Sequence, residues 1–221
     1  MVARQLDAQI AAHFEVGRRL RVLDVGLGHG TQALRLARAG HRVTGLESDP
    51  ERLAQVESAV SAEPEGIRER FRTLAAGGQD TGAHFLPGTF DLVLCHDALP
   101  LETDPSTTLA GLARVLDSGG LLSLVVANSL AAPIPHARAG RWDAALAEFD
   151  GRDRPLLGAA ELESLLERIG TPVENWFGVQ IFAAEDDPAD DERLLAVEER
   201  AGRTEPYRRL AGRLHLCAVR G

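Results

Sequence analysis

Residues 22–30 read Val-Leu-Asp-Val-Gly-Leu-Gly-His-Gly, and few chain segments restrict a fold as tightly. A short apolar strand meets an acid, Asp24, then glycines spaced two apart at Gly26, Gly28 and Gly30, then a helix-periodic stretch from Thr31. Glycine lacks a Cβ and tolerates positive φ, so this run turns sharply and lets backbone approach a ligand closely. A helix opening at Thr31 sets unpaired N–H groups at the mouth of that turn. A dinucleotide fingerprint needs its third glycine where Thr31 stands, so the spacing excludes that reading.

Beyond this turn, strand-like runs alternate with helix-periodic segments, which predicts a mostly parallel sheet covered on both faces. Helices are expected over 3–13, 31–39, 50–61, 105–116, 141–149, 159–169 and 192–201, with a short one near 205–211. Strands are expected over 21–25, 42–47, 68–75, 92–96, 121–128, 173–183 and 214–219. Gly40 follows the second helix as a C-terminal glycine does, Asp49-Pro50 and Thr103-Asp104-Pro105 open helices, and Gly119-Gly120 closes one. No repeat or linker divides the chain, so residues 1–221 are expected to form a single domain, with 129–157 and 184–213 added on the substrate side. The acidic run 185–192 reads as a solvated loop and helix start.

The net charge of −9 gives no overall electrostatic footprint for nucleic acid. Cys95 and Cys217 sit in apolar, strand-like runs and read as core residues of a reduced compartment, without metal-site spacing. No run is long enough to span a bilayer and residues 1–20 lack a signal-peptide core, so a soluble, cytoplasmic protein that binds no metal and no membrane is expected. Glu47, at the end of the second strand, is placed to accept the hydroxyls of a ribose beside the glycine turn.

The run Asp24–Gly30 matches D-x-G-x-G-x-G, and the chain resembles the class I methyltransferases that use S-adenosylmethionine (SAM). That resemblance implies a Rossmann-like, doubly wound α/β sheet of seven strands with the last antiparallel, and SAM as cofactor. Glu47 resembles the ribose-binding acid of their second motif, and Phe90–His96 their fourth, which ends beside the methyl group. His96 is thereby the candidate catalytic residue. The amine-directed N/D-P-P-Y/F/W signature is missing; the chain has Asp97-Ala98-Leu99-Pro100. A carboxylate acceptor is already ionised at pH 7, so its methylation needs positioning and desolvation but no general base.

A narrower similarity, over most of residues 4–219, is to the bacterial tRNA carboxymethoxyuridine carboxyl methyltransferases. It is carried by Leu94–Leu99, Ala139–Asp143, Gly178–Phe182, and above all Glu198–Arg200, Arg203–Tyr207 and Gly212–His215. It implies cofactor contacts at Arg4, Gly26, Leu27, Glu47, Gly78, Gln79 and His96, beside Asp24, Gly28 and Gly30 of the turn, and an acidic acceptor on tRNA. The family's lysine-rich run is replaced here by Asp150–Pro155, its arginine in the sixth-strand motif by Gln180, and its Glu-Trp by Pro100-Leu101. Its N-terminal lid segment has no counterpart before the first helix. Arg203, Tyr207 and Arg213, with Arg208 and Arg209, are the candidate acceptor-binding group. A small-molecule O-methyltransferase and a non-catalytic SAM-binding protein remain alternatives.

Overall fold

A computed structural model describes residues 1–99, 105–150, 158–183 and 191–221. Along the chain run α1 (Val2–His13), β1 (Arg21–Val25), α2 (Thr31–Arg38), β2 (Arg42–Glu47), α3 (Pro50–Ser61), α4 (Glu65–Arg68) and β3 (Phe71–Ala75). There follow α5 (Thr81–His84), β4 (Phe90–His96), α6 (Ser106–Val115), β5 (Leu116–Ala127), α7 (Pro133–Arg138) and α8 (Trp142–Asp150). The last elements are α9 (Ala159–Arg168), β6 (Val173–Val179), α10 (Glu192–Ala201) and β7 (Arg213–Val219).

The strands form one seven-stranded sheet in the order β3-β2-β1-β4-β5-β7-β6. β1 to β5 pair in parallel, and β7 runs antiparallel to both its neighbours, β5 and β6. Strand order reverses between β1 and β4, and in open α/β sheets ligands bind beyond the carboxyl ends of strands at such a switch point. Alternation along β4 serves both faces: Val93 and Cys95 join the layer under α6 and α9, while Leu92 and Leu94 join the layer under α1, α2 and α3. Local chemistry fixes the helix ends. Asp49 caps α3 by accepting from the Glu51 and Arg52 amides, and Gly40 takes φ 102° to end the turn after α2.

The described elements depart from the sequence expectation at four places. β5 begins at Leu116, since Leu116 pairs with Phe90 and Arg220, just after β7, bonds Gly119 and Gly120. β6 stops at Val179 because Gln180 takes φ 61°. The third strand starts at Phe71, its expected first residues being taken by the turn of α4. The short helices α5 and α7 lack the apolar periodicity that would announce them. Thr103-Asp104, Pro100-Leu101, most of the run 150–155 and the acidic stretch before Asp191 lie outside the described residues.

Asp91, buried at the start of β4, ties three segments together. Its carboxylate accepts from the Arg21 backbone N–H at 2.8 Å, from the Arg21 guanidinium at 3.0 Å and from Arg18 at 2.7 Å. Asp91→Ala is expected to destabilise the chain by about 2 kcal/mol, because a partly buried backbone N–H and two guanidinium groups lose a charged acceptor. Asp117→Ala, which breaks an exposed pair with Arg21, should cost below about 1 kcal/mol. Urea unfolding of both variants measures the contrast, and equal losses would contradict it.

Candidate active site

At the switch point the chain leaves β1 at Asp24 and Val25 and turns through Gly26, Gly28 and Gly30, with φ 73°, 54° and 70°. All three lie in the left-handed region that disfavours side chains. The Gly26 and Leu27 amides donate to the Leu46 carbonyl of β2 at 2.9 and 3.1 Å, locking the turn onto the neighbouring strand. A Cβ on Gly26 would come within 2.3 Å of the Ala98 Cβ. Leu27 is bulky for its place, and the room comes from β2: a Cβ on Gly45 would meet the Leu27 side chain at 2.5 Å.

Glu47 is buried, and each of its oxygens accepts a backbone N–H: Gly28 at 3.0 Å and Asp49 at 3.0 Å. A carboxylate offers about four acceptor sites, so capacity for ribose hydroxyls remains. Asp24 is buried beside it, and burial, then the charge of Glu47, push the Asp24 carboxyl up to about 7. The cleft over the turn measures about 720 Å³, a size suited to a small cofactor. Asp24, Gly26, Leu27, Gly28, Glu47, Gly78, Gln79 and His96 all line it, as do Ser48, Arg52 and Asp97. Gly30 lies behind the wall against Val56, and Arg4, exposed on the first turn of α1, does not line the cleft. A glycine cradle and two buried carboxylates fit a cationic nucleoside cofactor, whose ribose Glu47 would hold and whose positive charge Asp24 would face.

His96, at the end of β4, belongs to a hydrogen-bond chain that crosses the sheet. Its Nε2 lies 2.8 Å from the Ser123 hydroxyl of β5, which lies 2.9 Å from His215 Nε2 of β7; His215 Nδ1 lies 2.7 Å from Gln5 Oε1 of α1. Burial lowers both rings, His96 to about 4 with Arg35 adding to the effect, and His215 to about 3. Both are therefore neutral at pH 7, and the chain has one polarity. Gln5 accepts from His215 Nδ1, His215 Nε2 accepts from Ser123, and Ser123 accepts from His96 Nε2, which leaves His96 Nδ1 unprotonated. Ser123 and His215 interrupt apolar strands at buried positions, which is the signal for them in the sequence; nothing local singles out Gln5.

The arginines of the C-terminal block disperse. Arg203 stacks over Phe177 at 5.1 Å and Arg208 over Trp176 at 3.8 Å; successive strand residues point to opposite faces, so these two cations lie on opposite sides of β6. Arg208 and Arg209 share Glu205, and Tyr207 sits 6.4 Å from Phe182. Arg213 alone of the group bonds a residue of the cleft wall, Asp97, at 2.5 Å. Asp97 takes φ 54° directly after His96. Beside this pair lies a second cavity of about 560 Å³ lined by Arg138, Arg141, Gln180, Ile181, Phe182 and Gly212 among others. Buried Glu198 of α10 fixes one wall by accepting from the Ile181, Phe182 and Ala183 amides at 3.0, 2.5 and 2.8 Å.

The buried histidine pair carries a pH signature. Unfolded histidines bind protons below pH 6.5 and the folded pair does not until pH 4 or lower, so stability falls as pH drops across that window. Asp24 acts in the opposite sense between 7 and 3.8, so these three groups together contribute a slope near that of one proton, about 1.4 kcal/mol per pH unit. Urea midpoints at pH 6.5 and 4.5 should show this loss, and a flat profile would rule out neutral buried rings. Ser123→Ala should cost about 1–3 kcal/mol at pH 7 by leaving both rings short of a partner.

The comparisons with known proteins agree with this geometry. A family model described as a methyltransferase domain matches residues 23–124. The tRNA 5-carboxymethoxyuridine methyltransferase of Escherichia coli is 30% identical over 97% of this chain and 85% of its own length. A ubiquinone biosynthesis O-methyltransferase of Xanthomonas euvesicatoria is 32% identical over 72% of this chain and 65% of its own. The solved magnesium protoporphyrin IX methyltransferase of Synechocystis, with bound SAH, superposes with a TM-score of 0.64 at 19% identity, covering 99% of this chain and 81% of that one. The doubly wound sheet is thus the class I fold, its cofactor is S-adenosylmethionine, and the chain belongs to the SAM-dependent methyltransferase family of which the E. coli tRNA 5-carboxymethoxyuridine methyltransferase is a relative.

Proposed function

We propose that this enzyme transfers the methyl group of SAM to a carboxylate oxygen, forming a methyl ester, with a modified base of tRNA as the acceptor. The observation that carries this reading is the state of His96. It stands where the fourth motif meets the reaction centre, yet it is neutral, lowered to about 4, and its Nε2 is committed to Ser123. Such a ring is a poor base toward a hydroxyl near neutral pH. An acceptor that is already anionic needs none. His96 then acts through packing and through its Nδ1, which has no partner among the described residues, and the rate comes from in-line placement of an ionised oxygen.

Arg213 supports the same reading. It bonds Asp97 of the cofactor cleft and directly follows Gly212 of the arginine-lined cavity, and a guanidinium fork matches a carboxylate geometrically. We assign the acceptor to that cavity, with Arg138 and Arg141 as cations on its wall and with Arg213 and Tyr207, which adjoin its lining residues Gly212 and Phe182, as contacts reached from its edge. Arg203, stacked on Phe177 away from this cavity's lining, is the weaker candidate for the role. The described residues of the expected substrate-side additions 129–157 and 184–213 supply most of this cavity's lining. A small acid in place of RNA is the rival acceptor, favoured by the net charge of −9.

Two outcomes are expected. SAM affinity should rise between pH 6 and 8, because the cationic cofactor favours ionised Asp24, which holds a proton below about 7 in the free chain. Calorimetry in buffers of different ionisation enthalpy should register the released proton, and Glu47→Ala should weaken binding by about 1–3 kcal/mol. A pH-independent affinity would remove Asp24 from the cofactor's surroundings.

The acceptor is tested with labelled SAM and fractionated RNA and small acids. Product label should be released as methanol in mild alkali, as an ester requires. Arg213→Ala should raise the acceptor KM with SAM affinity unchanged, and His96→Gln should retain turnover with little change in its pH dependence between 6 and 8. Alkali-stable label, or abolished turnover in His96→Gln with SAM binding intact, would favour a hydroxyl acceptor instead.

A further inference from the structure

The opposite end of the sheet, where β1, β2 and β3 begin, holds a cavity of about 540 Å³ with Arg19, Arg21, Arg42, Arg70 and Arg72 on its walls. Strand register explains how they converge. Arg21 pairs with Arg42, and Thr44 pairs with Arg72, so Arg70, two residues earlier, comes opposite Arg42. Arg21 of β1, Arg42 of β2 and Arg70, the residue just before β3, therefore form a row across the strand starts, Arg72 lies on the same face of β3 as that row, and Arg19, in the segment before β1, joins them on the cavity wall. Gly40, beside Arg19, leaves the mouth open: a Cβ there would meet nothing within 4 Å.

Charge is poorly balanced in this cavity. Arg21 is held by Asp91 and Asp117, but Arg19, Arg42, Arg70 and Arg72 make no ion pair among the described residues. Glu69 is the one acid on the wall, and it makes none either. Like charges directly opposite one another destabilise a sheet, so this row costs folding free energy unless an anion fills it. It stands out further in a chain of net charge −9. A single carboxylate would occupy one guanidinium fork; four unpaired forks around one concavity suit a ligand carrying several anionic oxygens in more than one group. β2 spans six residues, which puts the cavity roughly 20 Å from the methyl-transfer end. It is thus separate from the reaction site.

We propose that this cavity is a phosphate-binding site for a ligand with two or more phosphoryl or phosphodiester groups. The chemistry is shared by a small polyphosphate and by an RNA backbone, and it does not depend on which acceptor the enzyme methylates. Bound anion would neutralise the arginine row and stabilise the β1–β2–β3 half of the sheet, which carries the glycine turn and Glu47 at its other end.

Calorimetric titration of the full chain with inorganic tripolyphosphate and, separately, with bulk tRNA tests the site. Tripolyphosphate should bind the wild-type chain at low salt, and Arg42→Ala with Arg70→Ala should weaken it by about tenfold or more. The pair Arg42→Lys with Arg70→Lys should fall between, because lysine keeps the charge and loses the fork. SAM affinity, unchanged in all variants, shows that they fold. If the natural source is RNA, tRNA affinity should fall in parallel and the slope of log K against log salt should flatten by about 1.4. If it is a small polyphosphate, tRNA binding should be indifferent to these substitutions. No binding of tripolyphosphate by the wild-type chain, or equal binding by the alanine variant, would overturn the proposal.

Discussion

The carboxylate of Glu47 joins the two segments that make the cofactor site. One oxygen holds the Gly28 amide in the glycine turn and the other holds the Asp49 amide at the start of α3. Without that bridge, three left-handed glycines within five residues would be free to move, since glycine has the most backbone entropy to lose. The Leu46 carbonyl completes the lock from the preceding residue. The end of β2 thus shapes a turn that belongs to β1.

This arrangement has an electrostatic cost that ligand chemistry can offset. Two carboxylates are buried side by side, and the price is an Asp24 carboxyl pushed up to about 7. A cationic cofactor relieves that repulsion, so the energy stored in the free site becomes selectivity for positive charge. The far end of the sheet has the reverse imbalance, more arginines than acids. Parallel strands bring the starts of β1, β2 and β3 together as surely as their ends, so one topology creates a cation-selecting cleft and an anion-selecting cavity about one strand length apart.

His96 shows how a site residue is set by layers behind it. Its protonation state follows from burial, and its tautomer follows from Ser123, His215 and Gln5 in turn. Strands β4, β5 and β7 are neighbours in the sheet, and α1 covers their face, so the relay exists because of strand order. Breaking it at Ser123 would change the ring that faces the reaction without touching any ligand contact.

The sequence by itself determined the layered α/β fold, the order of its main elements, the glycine turn, the ribose acid and the identity of the cofactor. These are legible because each is local: periodicity over a few residues, a glycine spacing, an acid at a strand end. Short helices such as α5 and α7, and the pairing of residues 116–120 into β5, were beyond that reach because tertiary contacts create them. Only the folded structure decided that Arg203 and Arg208, five residues apart, stack on opposite faces of β6. The same holds for Gln5, Ser123 and His215 behind His96, and for Arg19, Arg42, Arg70 and Arg72 around one cavity. Each of these depends on strand register and on which way a side chain points from a strand. Both become fixed only when distant strands pair, since a shift of one residue sends every side chain to the other face.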